Sequence, residues 1–202
     1  RVAIFDVDYR FLSRKEIIVK GATTSLDAKL ALLGGLKESH YQITDSMMLL
    51  PDSAALEGKT YGIVNLSVCN LRVEPDFSSE MTSQALLGMP VKVLQRDGWY
   101  RVQTPDDYIA WVHRVGVYPV TKQAYDEWNR ADKIVVTSHY AFTYVNPDAT
   151  SQTVSDVVAG NRLKWLGTAG DYYRVAYPDG REAFVSKAAS MPEKEWKAAV
   201  KQ

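Results

Sequence analysis

Residues 71–88 read LRVEPDFSSEMTSQALLG, and residues 143–160 read TYVNPDATSQTVSDVVAG. Set side by side without a gap, Pro75 and Asp76 fall on Pro147 and Asp148, Ser79 on Ser151, and Gly88 on Gly160. The correspondence resumes with WYRVQTPDDYIAWV (99–112) against YYRVAYPDGREAFV (172–185), one inserted residue having moved the offset from 72 to 73. A unit written twice is one fold used twice, and the charged or polar differences between copies mark where their tasks divide.

Working outward, each copy reads as short strands. In the first, YGIVNLSVCNLRV (61–73) alternates in part, and ALLG (85–88) precedes a strand at Val91–Gln95. Asp97-Gly98 is a hairpin signal, followed by strands at Trp99–Thr104 and Tyr108–Val112. Five short strands within about 55 residues fit a compact barrel better than a sandwich. The second copy repeats the order, with Asp179-Gly180 where the first has Asp106-Asp107. Between them, TKQAYDEWNRADK (121–133) places Ala124, Trp128 and Ala131 at helical spacing. After Pro192 the run EKEWKAAVKQ predicts another helix.

Upstream the order reads strand, strand, helix, strand. Val2–Val7 and Glu16–Lys20 are the first two strands, the second ending near Gly21. Thr24 with Asp27 forms an imperfect capping box, Leu26, Leu30 and Leu33 a helical stripe, and Gly34-Gly35 its stop. Residues 41–50 are a further mostly apolar run. The expected fold is therefore mainly β: a small ββαβ unit (1–54), a first barrel (58–117), a connecting helix (118–133), a second barrel (134–189) and a closing helix (190–202).

Composition narrows the function. Twenty-four basic and 24 acidic side chains cancel, and no Lys/Arg block stands out, so neither nucleic acid nor an anionic membrane is an expected partner. No run of 18 apolar residues exists, so no transmembrane segment is expected. The opening residues lack the features of a signal peptide, which fits either a removed leader or a cytosolic protein. One cysteine excludes an intrachain disulfide framework. Twelve Tyr and five Trp against five Phe favour surfaces that stack on polar ligands, although thin β cores also need large side chains.

Catalytic motifs are missing. Cys69 sits in a predicted strand with no local base, and its counterpart in the second copy is Ala141, so it reads as core. His40, His113 and His139 form no metal-binding spacing, and neither a metal nor another cofactor is expected. The binding candidates come from the differences between copies. Glu74 faces Asn146, Arg72 faces Tyr144, Tyr108 faces Arg181 and Trp111 faces Phe184. A loop carboxylate beside an aromatic of the last strand can grip an ammonium group by a charge-assisted hydrogen bond and a ring face or hydroxyl. The plain alternative is a solvated glutamate and a core tyrosine.

NLR with a following Pro, S-E before a small apolar run, G-x-x-V-x-V, D-G-W-Y-R-V and the closing W-V make residues 65–112, and more weakly their second copy, resemble bacterial SH3-like (SH3b) domains. A small α+β unit followed by two such copies is similar to the N-terminal half of NlpC/P60 murein peptidases of the γ-D-glutamyl-L-diamino acid endopeptidase type. The opening unit is only reminiscent of small envelope-associated (BON-like) modules. The resemblance implies a cell-wall cysteine peptidase if the natural chain continues into its D-C-S-G-F catalytic domain, a partner in cis; these 202 residues by themselves are expected not to be an enzyme. It also implies that the first SH3b unit reads the free amino end of an L-Ala-D-Glu-containing peptide with a glutamate and a tyrosine, placed here at Glu74 and Tyr108. Trp111 and Tyr100 would line the same groove, and the second copy would serve as a spacer or brace. The implied location is the cell envelope or periplasm, or the cytoplasm in murein peptide recycling. Two other readings stay open: a stand-alone envelope binding or scaffold protein, and a divergent hydrolase using Cys69 with His113 or His139.

Overall fold

The computed structural model describes residues 3–200. Mainly β, the chain forms a small mixed sheet followed by two seven-stranded antiparallel sheets. The first part comprises β1 (Phe5–Phe11), β2 (Glu16–Thr23), α1 (Leu26–Lys37) and β3 (Gln42–Leu49). β1 and β2 run antiparallel, β2 and β3 parallel, and α1 makes the crossover that a parallel pair requires. Val2 of the predicted opening strand, and Lys201 and Gln202 of the predicted closing helix, lie outside the described residues.

Helix α1 departs from its sequence reading. Its N-cap is Ser25, not Thr24: the Ser25 hydroxyl accepts from Ala28 N at 3.1 Å. Thr24 is engaged elsewhere, its hydroxyl accepting from Ile4 N. The helix also runs through Gly34-Gly35, because Leu36 beyond them packs on the sheet. Leu26 and Leu30 are exposed, whereas Leu32 and Leu36 meet Ile17, Val19 and Met47. Packing on the sheet, rather than the leucine spacing alone, sets the buried face.

The first barrel contains β4 (Tyr61–Val64), β5 (Val68–Arg72), β6 (Met81–Leu86), β7 (Pro90–Asp97), β8 (Trp99–Gln103), β9 (Ile109–His113) and β10 (Val117–Val120). Their order is β10-β4-β7-β8-β9-β5-β6. α2 (Lys122–Arg130) follows, N-capped by Thr121. The second barrel contains β11 (Lys133–Val136), β12 (Tyr140–Tyr144), β13 (Thr153–Val158), β14 (Arg162–Ala169), β15 (Tyr172–Ala176), β16 (Glu182–Ser186) and β17 (Ser190–Pro192), before α3 (Glu193–Val200). Its order, β17-β11-β14-β15-β16-β12-β13, repeats that of the first strand for strand.

The irregularities repeat as well. Register shifts at Leu71/Arg72 and Val93/Gln95 recur at Thr143/Tyr144 and Trp165/Gly167, each 72 residues on. A bulge bends its strand and increases the twist, which lets short strands curl around a single core. That core is Leu71, Val91, Val93, Val102 and Val112 in the first barrel, and Ile134, Leu163, Val175 and Val185 in the second. β6 and β10 are strands beyond the five expected: MTSQAL is polar, and residues 117–120 pair with β4 ahead of a helix that starts only at Lys122.

The units lean on one another, as small modules must. Ile4, Ala22 and Leu50 bury themselves against Leu94 and Ile109 of the first barrel. Leu87, in the turn between β6 and β7, is part of the second barrel's core. Beside it Arg162 N donates to Leu87 O at 2.9 Å, and Trp128 Nε1 to Gly88 O at 3.1 Å.

Candidate functional site

β5 and β9 are neighbours through the Arg72–Trp111 pair, so the loop leaving one meets the segment entering the other. The β5–β6 loop carries Glu74. It is fixed by Glu74 N donating to Ser79 Oγ at 3.0 Å and by Arg72 Nη1 donating to the Ser79 carbonyl. The same brace recurs at Asn146 N and Ser151 Oγ, 3.1 Å, so the copies share the loop's shape and differ in the side chain it presents. On the other side, Thr104 N donates to Tyr108 O at 3.0 Å. Asp107 lies at φ 63°, the left-handed conformation that Gly180 takes in the second copy.

Glu74, Tyr108 and Trp111 line one open pocket of about 270 Å³. Tyr100 does not. Successive residues of a strand face opposite ways, and in β8 Tyr100 packs against the barrel core while Arg101 reaches the pocket wall. Two further lining residues, Arg101 and Asp6, escape sequence reasoning. Arg101 Nη2 donates to Asp6 Oδ2 at 2.7 Å, and its guanidinium lies 5.5 Å from the Trp111 ring centre. The opening unit thus supplies one wall. Among the described residues the lining holds two carboxylates, Glu74 and Asp6, and one cation, Arg101, a balance that favours a cationic group at the mouth.

The second barrel uses the equivalent surface otherwise. Arg181, in the place of Tyr108, donates through Nε to Asp179 at 2.7 Å and lies 4.6 Å over the Tyr177 ring. Asp179 also accepts from Asn65 Nδ2 at 3.0 Å, across the barrel–barrel contact. Burial pushes its carboxyl upward, but the bonds from Asn65 and Arg181 hold it below the usual carboxylate range.

Cys69 is buried in the first core, where burial pushes its thiol up to about 12. Such a thiol stays protonated at neutral pH. His113 sits in a ring cluster with Phe77 and Trp99, at centroid distances of 5.0 and 5.1 Å. Among the described residues no group of three His, Cys, Asp or Glu is placed to hold a metal ion. Among them, too, no helix is long and apolar enough to cross a membrane.

Comparison with known proteins agrees with this architecture. Residues 71–115 match the family model described as the bacterial dipeptidyl-peptidase SH3 domain. An NlpC/P60 family protein from Bacillus cereus superposes with a TM-score of 0.54 at 21% identity, over 65% of this chain and 55% of that one. An NlpC/P60 endopeptidase from Photobacterium damselae gives a TM-score of 0.47 at 13% identity, over 68% and 33% of the two chains. No curated protein matches. On residues 71–115 the chain is therefore similar to the SH3 domain of bacterial dipeptidyl-peptidases, and in fold to an NlpC/P60 family protein of which it spans about half.

Proposed function

We propose that this chain is the substrate-recognising part of a bacterial cell-wall peptide hydrolase of the NlpC/P60 type, at work in the cell envelope. Its pocket holds the free amino end of a murein peptide: Glu74 accepts a charge-assisted hydrogen bond from the ammonium, Tyr108 offers its hydroxyl, and Trp111 walls the alanine side. The observation that carries this reading is that Glu74, Tyr108 and Trp111 line a single pocket whose described lining holds two carboxylates to one cation. The peptide bond would be cut by a cysteine domain in cis, and the second barrel is a brace.

Titration calorimetry with a peptide bearing a free L-Ala amine tests it. Glu74→Gln is expected to weaken binding about tenfold, less than the roughly thirtyfold or more that truncating one member of a buried charge pair costs, because Glu74 is exposed. Acetylating the amine should remove the difference between wild type and variant. Equal affinity for free and acetylated peptides rejects the assignment.

A further inference from the structure

We infer that β1 is the seam of a symmetric dimer, its free edge pairing antiparallel with β1 of a second copy about a twofold axis at Tyr9. β1 is an outermost strand of its sheet, and among the described residues no strand covers its far side. Thr24 N donates to Ile4 O and Leu12 N to Glu16 O, so the even-numbered residues of this segment bond inward to β2. The backbone groups of Phe5, Val7, Tyr9 and Phe11 therefore point outward. At the middle of that edge, Tyr9 N donates at 2.7 Å to the side chain of its own neighbour, Asp8. β1 contains no Pro, and its register with β2 is unbroken from end to end. Two common devices that blunt an edge are thus missing from it.

The side chains of the same odd-numbered residues share the sheet face on which α1 packs. α1 lies over β2 and β3, which leaves Phe5, Tyr9 and Phe11 exposed by 50, 63 and 53%. Phe5, Val7 and Tyr9 line an apolar groove of about 470 Å³ with Leu32, Leu36 and Tyr41. Charge complementarity selects a second copy as the occupant of this edge. With the twofold axis at Tyr9, Asp8 stands opposite Arg10 of the second copy and Arg10 opposite its Asp8. On the apolar face Tyr9 meets Tyr9, and Val7 meets Phe11. An axis at Asp8 would set two Asp8 carboxylates face to face, and an axis at Arg10 two guanidiniums. Opposite charges directly across an antiparallel pair attract and like charges repel, so the sequence favours one register over its neighbours. In that register Asp6 falls opposite Leu12 and keeps its bond to Arg101. Tyr9 N passes to the carbonyl of Tyr9 in the second copy, which frees Asp8 for Arg10. Each favourable pair occurs twice, as an isologous contact requires.

Sedimentation velocity on the full chain across the micromolar range tests this. The wild type is expected to pass from monomer to dimer as concentration rises. Asp8→Arg and Arg10→Asp each place like charges opposite one another in both pairs, and each should weaken association about tenfold or more. Mixed in equal amounts, the two variants should form a heterodimer as tight as the wild-type dimer, because each supplies the charge that the other lacks. Asp8 and Arg10 are exposed, and recovery in the mixture would itself show that both variants are folded. Three results overturn the inference. One is a wild type that stays monomeric throughout, as it would if this edge served a different protein or segment. Another is a single variant that associates as tightly as the wild type. The third is a mixture no tighter than its components.

Discussion

Lys133 is an ammonium folded under a helix end. It is 6% exposed, lies 5.0 Å from the Trp128 ring centre, and donates to the carbonyls of Trp128 and Ala131. It thereby adds a second donor to Trp128 O, which Ala131 N also reaches at 3.3 Å, and one to Ala131 O, at the end of α2. Burial pushes its pKa down, to about 8. Between that value and the ordinary 10.5 the unfolded chain binds more protons than the folded one, so stability rises with pH through this window. Tyr177, whose pKa is pushed up by burial, acts in the opposite sense above its ordinary value of 10.0. Cys69, whose thiol burial pushes up from 9.0 to about 12, opposes this rise from pH 9 upward. The urea midpoint of the wild type is therefore expected to climb from pH 8 to about 9 and then level off, and the climb to disappear in Lys133→Met. A slope that persists in the variant would place its origin elsewhere. Residue-scale chemistry of this kind was only partly legible in the sequence. Glu74 and Tyr108 emerge because the copies differ there, whereas Arg101 is hidden by being the same in both. What changed was its partner: Arg174 in the second copy bonds Glu182, where the first barrel has Ile109, and that shows only once the strands are paired.

At the scale of elements, the turns and bulges define the fold more sharply than the hydrophobic pattern does. The Asp97-Gly98 hairpin was legible as a turn signal, whereas the bulges that recur 72 residues apart show only in the strand pairing. β6 was not legible either, because edge pairing holds a segment as polar as MTSQAL, and α1 was rotated by its packing. Gly88 and Gly160 give a controlled comparison. Both take positive φ, 84° and 90°, in equivalent turns. A Cβ at Gly88 would stand 2.0 Å from the Arg162 carbonyl oxygen, whereas at Gly160 it would meet only the tip of Leu86 at 2.9 Å. Gly160→Ala is expected to cost about 1 kcal/mol from the backbone conformation alone. Gly88→Ala should cost roughly 2 kcal/mol more, since backbone must move between the barrels. Equal losses in chemical denaturation would mean that the interface yields freely.

Across the whole molecule, the duplication is not two independent modules in series. Leu87 is 1% exposed and packs with Ile134, Leu163 and Val175. Its counterpart in the second copy is Ala159, a smaller side chain. Leu87→Ala should cost about 2–5 kcal/mol, as other large-to-small changes in cores do. In scanning calorimetry the wild type is expected to give one transition and the variant two, the second barrel melting first. A single transition with an unchanged midpoint would show the contact to be energetically idle.

Ancestry is constrained by the same leucine. A recombination event joining unrelated genes anywhere between the two copies would carry the plug off with one half and leave a void in the other. Surviving hybrids would have to exchange both barrels together, so the pair is expected to travel through genomes as a single heritable cassette.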